Sequence, residues 1–65
     1  MEKILGSFVS ADGRWRVQAV RDGDRAWYRI LRDGAVFADG LMRGEAERVL
    51  RIDAGLHLAD LTEET

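Results

Sequence analysis

Few side chains in this sequence could carry a reaction. There is no cysteine, so the candidate nucleophiles are hydroxyls, of which Ser7 and Ser10 stand ahead of a turn. A serine needs a neighbouring base to be activated. The only histidine, His57, follows Gly55 and reads as a helix-end residue able to interact with the final carbonyls of the helix. Glu45 and Glu47 read as first-turn helix residues and Asp53 as a solvated one, so no pair of carboxylates marks a cleft for acid–base work. No zinc spacing occurs. No GxxxxGK[ST] loop occurs either, and Lys3 is the only lysine. These absences predict a non-enzymatic domain without cofactor, metal or small-molecule substrate.

Recognition chemistry is better represented. Nine of the ten basic residues are arginine, and both tryptophans lie among them, in Arg14-Trp15-Arg16 and Arg25-Ala26-Trp27-Tyr28-Arg29. Trp and Arg are the residues most enriched at binding hot spots. The net charge of −2 is unevenly spread. Residues 1–32 carry seven basic and four acidic side chains, and residues 33–65 carry three basic and eight acidic. That division predicts a basic face and an acidic end with different partners.

The elements that must position these residues are legible from turns and periods. Asp12-Gly13, Asp22-Gly23 and Asp33-Gly34 fall about ten residues apart, with β-rich runs between them, and Asp39-Gly40 follows. Asp-Gly suits type I′ turns, whose two central residues need φ > 0. The spacing predicts antiparallel strands near Ile4–Ser10, Arg14–Arg21, Arg25–Arg32 and Ala35–Asp39. Met42, Ala46, Val49 and Leu50 then recur at helical period, which predicts a helix over Arg43–Ala54. Gly44 is the expected N-cap and Gly55 the left-handed stop, after which Leu56 folds back. The expected architecture is α+β: an antiparallel β-meander of three to four strands packed on one C-terminal α-helix. It is one domain over residues 1–61, with 62–65 a frayed polar tail.

Two-residue loops at Asp22-Gly23 and Asp33-Gly34 would put Trp15, Val17, Ala19, Ala26, Tyr28, Ile30, Ala35 and Phe37 on one side. A tight turn at Asp12-Gly13 would add Phe8 and Ile4. This set is nearly uncharged and is the expected core. Arg14, Arg16, Gln18, Val20, Arg25, Trp27, Arg29, Leu31 and Val36 then share the opposite side. A three-residue loop at Asp22-Gly23-Asp24 would instead exchange Trp27 and Leu31 for Tyr28 and Ile30. In the first register, Arg14, Arg16, Arg25, Trp27, Arg29, Leu31 and Val36 form an apolar patch with an arginine rim, the expected partner-binding surface.

Two partner classes fit that surface. One is protein: a partner chain or a second copy, making the domain a small accessory or regulatory homodimer. The edge strand Ile4–Ser10 offers strand addition as a second route. The other is DNA. Gly13-Arg14-Trp15-Arg16-Val17, the hairpins, and Arg43-Gly44-Glu45-Ala46-Glu47-Arg48-Val49-Leu50 resemble the arm-type DNA-binding domains of tyrosine integrases over about forty residues. That resemblance implies a sheet entering the major groove, with Arg14, Arg16, Arg25 and Arg29 as phosphate or base contacts and Trp27 as a packing residue. The chain departs from the family in its acidic net charge and in lacking a Lys/Thr-rich approach to the helix, so protein is the favoured partner class. No apolar run of membrane-spanning length or signal-peptide pattern occurs. The lack of cysteine fits a reducing cytoplasm. The arginine-rich, asparagine-free composition fits a GC-rich bacterial genome.

Overall fold

The computed structural model describes residues 1–64. Four long strands, β1 (Lys3–Val9), β2 (Trp15–Asp22), β3 (Arg25–Arg32) and β4 (Ala35–Leu41), form an antiparallel meander. A helix follows, α1 (Arg43–Val49), which continues as a wider π-helical turn over Leu50–Ala54. After a 3₁₀ turn at Leu58–Asp60, a two-residue strand, β5 (Thr62–Glu63), closes the sheet in the order β4-β3-β2-β1-β5. This is the expected α+β architecture with one additional short strand. Among the described residues, no helix is long and apolar enough to cross a membrane.

Both β2–β3 and β3–β4 are joined by two-residue loops, with Asp22 opposite Arg25 and Arg32 opposite Ala35. Their hands differ. Asp33 and Gly34 both have φ > 0, the type I′ pattern, whereas only Gly23 does in the Gly23-Asp24 turn, the pattern of type II′. The β1–β2 connection is longer. Ser10 pairs with Trp15 through backbone and side chain, and the Ser10 hydroxyl also donates to the Asp12 carboxylate, which accepts the Arg14 amide. This serine therefore organises a loop.

The loop parity puts Trp15, Val17 and Ile30 under the helix. They are buried together with Ala46, Leu50 and Leu61, and Phe8, Tyr28, Ala38, Leu41, Val49 and Leu56 pack around them. Burial of Ile30, Leu50 or Val17, each with no exposed surface, contributes about 1.5–3 kcal/mol. Phe37 borders this core, its ring 5.1 Å from Trp15 in an edge-to-face contact, and Arg32 lies over the Trp15 indole.

Three bulges depart from a plain meander. In β1 the register jumps between Ile4 and Gly6, so Leu5 is the additional residue. This reverses the alternation: Ile4 lies opposite Val20, away from the helix, and does not join the core side as expected. In β4, Phe37 is one additional residue, and Asp39-Gly40 supplies another opposite Arg29. The fourth Asp-Gly pair is therefore a bulge inside a strand that runs on to Leu41. Gly40 has φ 65, a left-handed conformation that glycine adopts without the steric cost of a Cβ.

Two cap assignments also change. The helix N-cap is Met42, with extended backbone, and not Gly44; its N–H is accepted by Glu45 Oε1 at 2.9 Å, so Glu45 holds the chain as it leaves the sheet. Gly55 ends the helix in left-handed conformation, and the Leu56 amide donates to the Leu50 carbonyl, turning Leu56 onto the core. That carbonyl is taken by backbone. His57 opens the 3₁₀ turn, and its own amide donates to Asp60.

The polar tail expected to fray instead pairs. Thr62 and Glu63 lie opposite Val9 and Phe8, and the Glu64 amide donates to the Ser7 carbonyl. Leu61, 9% exposed in the core, anchors this segment. Thr65 lies outside the described residues.

Candidate interaction surface

Helix and sheet form two layers, so no helix or strand among the described residues lies over one face of the sheet. The register places Arg16, Gln18, Val20 and Asp22 of β2 on that face, beside Leu31, Arg29, Trp27 and Arg25 of β3. Val36 adjoins Leu31, Ile4 adjoins Val20, and Ser7 and Val9 adjoin Gln18 and Arg16. Across the strands these residues form rows. Ile4, Val20 and Trp27 make one apolar row, and Val36 and Leu31 lead a second that continues into Arg16 and Val9. The polar row Arg29–Gln18–Ser7 runs between them.

Of the seven residues expected to bind a partner, Arg16, Trp27, Arg29, Leu31 and Val36 come together here. Arg25 sits at the end of the face, beside the Gly23-Asp24 turn. Arg14 lies beyond the far end, where its Nε is 3.5 Å from Asp33. Val36 is 59% exposed, Trp27 and Leu31 are half-buried, and Val20 is closed off beneath its neighbours at 1%.

The arginines are tied down by carboxylates that sequence reasoning missed. Arg29 Nη2 donates to both oxygens of Glu2, at 2.9 and 3.1 Å, and its Nε donates to Asp39 at 3.0 Å. The Trp27 indole N–H donates to the other Asp39 oxygen at 3.0 Å. Arg16 makes a two-bonded fork to Glu64, at 2.7 and 3.1 Å, and the Ser7 hydroxyl donates to the same carboxylate. These partners lie 10, 27 and 48 residues from their arginines, so no local signal could have linked them.

The pairs set protonation. Partial burial raises the Asp39 pKa, but the Gly40 amide, the Arg29 guanidinium and the Trp27 indole outweigh it, leaving the carboxyl below the usual aspartate range. Arg16 first, then the Ser7 hydroxyl, likewise lower Glu64. Glu2 first, then Asp39, raise the Arg29 pKa further. A carboxyl whose pKa is depressed on folding stabilises the fold above its unfolded pKa, and that contribution is lost as pH falls through the folded value. The melting temperature should therefore be level from pH 7 to about 5 and fall below about pH 4. In thermal melts across that range, Asp39→Asn should start lower at pH 7, show a shallower acid limb and approach the parent at low pH.

The pairing also neutralises the surface. Three guanidinium groups, Arg16, Arg25 and Arg29, share the face with the carboxylates of Glu2, Asp22, Asp39 and Glu64. Arg16 and Arg29 of the arginine rim expected from sequence are therefore ion-paired between the apolar rows, whereas Arg25 makes no ion pair among the described residues. No protein family, characterised protein or solved structure matches the chain.

Proposed function

We propose that this chain is a non-enzymatic interaction domain that pairs with a second copy of itself through the uncovered face of its sheet. The observation supporting this reading is that Trp27, Leu31, Val36 and Ile4 share a face that no element among the described residues covers. Electrostatics favours a like partner. Arg16 and Arg29 already hold carboxylates and Arg25 stands at the end of the face, so the apolar rows beside those ion pairs can be buried while Arg25 stays at the solvated rim. DNA binding would need the same arginines to neutralise phosphates instead.

Size sets the strength. Four long strands about 4.8 Å apart and eight residues of about 3.3 Å give a face of roughly 500 Å². Stable complexes bury about 800 Å² on each side, so the expected dimer is weak and concentration-dependent. Sedimentation from about 10 µM to 1 mM protein should show mass rising from monomer toward dimer. Trp27→Ala should shift that curve at least tenfold toward monomer while leaving the circular dichroism spectrum folded. A monomer across the whole range, or an unchanged curve for Trp27→Ala, would refute the reading. Association that tightens with added duplex DNA and disappears with salt would point to nucleic acid.

A further inference from the structure

The face of the sheet opposite the helix has a centre. Across β1, β2 and β3 its side chains stand in three rows. Ile4, Val20 and Trp27 make one outer row, and Val9, Arg16 and Leu31 make the other. Gln18 stands between them on the middle strand, with Ser7 on one side and Arg29 on the other.

The neighbours of Gln18 in its row are already committed. Ser7 donates to Glu64, and Arg29 donates to Glu2 and Asp39. Gln18 is half-buried, and its side chain has no hydrogen-bond partner among the described residues. Its amide therefore meets water in the interior of the face. A carboxamide carries an acceptor oxygen and a donor NH₂, so two of them can exchange N–H···O bonds. A guanidinium, which only donates, cannot do this with its own kind.

On the basis of the self-pairing proposed above, we infer that Gln18 lies on the twofold axis of the pair and hydrogen-bonds to Gln18 of the second copy. Two identical faces close on each other through a twofold axis, and a residue on that axis meets its own copy. Covering both outer rows requires the axis to pass between them, and covering Ile4 together with Trp27 centres it on β2. Gln18 is the residue at that point, and it meets itself whether the axis runs along the strands or across them. Closure removes water there, and an amide left without a partner would oppose association. Exchange between the two copies of Gln18 supplies the missing donor and acceptor.

The test is sedimentation of Gln18→Glu and Gln18→Lys, each alone and mixed in equal amounts, beside the parent from about 10 µM to 1 mM. Each variant alone sets like charges together at the axis and should associate roughly tenfold more weakly than the parent. In the mixture opposite charges meet, so association should recover, and the recovery should fade as salt is raised. Val36→Glu and Val36→Lys supply the control. Val36 lies two strands over from Gln18. It is therefore farther from its own copy than a Debye length of about 8 Å, and mixing that pair should recover nothing. All four variants alter exposed or half-buried positions and should keep the parent's circular dichroism spectrum. In the unaltered chain, the Gln18 carboxamide resonances should shift with concentration in step with the sedimented mass. A mixture of the Gln18 variants no tighter than either alone, equal recovery at Val36, or carboxamide resonances that stay fixed while mass rises would overturn the axis assignment. A parent that stays monomeric would refute the self-pairing and this assignment with it, so the parent's own curve tells the two failures apart.

Discussion

Leu50→Ala should sharply lower this domain's resistance to urea. Leu50 has no exposed surface and lies where the helix meets Val17, Ile30 and Trp15. Removing it costs the transfer free energy of the lost atoms plus a cavity term, together about 2–5 kcal/mol. A 65-residue domain holds roughly 3–10 kcal/mol in total, so one such loss removes a large share. Ile52→Ala supplies the control. Ile52 is 64% exposed only two residues away, and its truncation should change stability by about 0.5 kcal/mol or less. Urea titrations of the two variants would check the helix phase as well as the core. Equal midpoints would mean that Leu50 is not where the helix docks.

The second large effect belongs to Gly40. Its φ of 65 is required by the bulge that lets β4 reach Leu41 before the helix starts. A Cβ added there would meet nothing within 4 Å, so the cost of Gly40→Val is backbone strain, about 1–3 kcal/mol. Gly44 contrasts with it. It sits inside α1 without positive φ, and a Cβ there also meets nothing. Gly44→Ala should therefore stabilise, by about 0.5–1 kcal/mol. Chemical denaturation should move the two variants in opposite directions, and a loss of stability in both would contradict the assigned backbone.

These two sites mark where the sequence was legible and where it was not. The strands could be read because alternation and Asp-Gly spacing are local, and the inward parity of Trp15, Val17, Tyr28 and Ile30 followed from two short turns. The helix could be read over its full length because Ala46, Val49 and Leu50 repeat with its period. Bulges carry no such mark. Asp39-Gly40 has the residues of a turn, and only the need to carry the chain from β4 to α1 makes it a bulge. Leu5 gives no sign that it will reverse the alternation and turn Ile4 outward. The surface was legible in part for the same reason. Register brought Trp27, Leu31 and Val36 together, but the carboxylates holding Arg16 and Arg29 come from distant segments, where pairing follows from the finished fold.

The closing strand has a kinetic consequence. Hairpins joined by two-residue loops can zip within microseconds, whereas β5 meets β1 across more than fifty residues and gains its partners only after the meander exists. With two residues in register, it should be the last piece to dock and the first to detach. Each detachment would withdraw Glu64 from Arg16 and expose a guanidinium for the lifetime of that opening. The charge seen by an approaching molecule would then fluctuate with the motion of the final strand while the remaining sheet stays assembled.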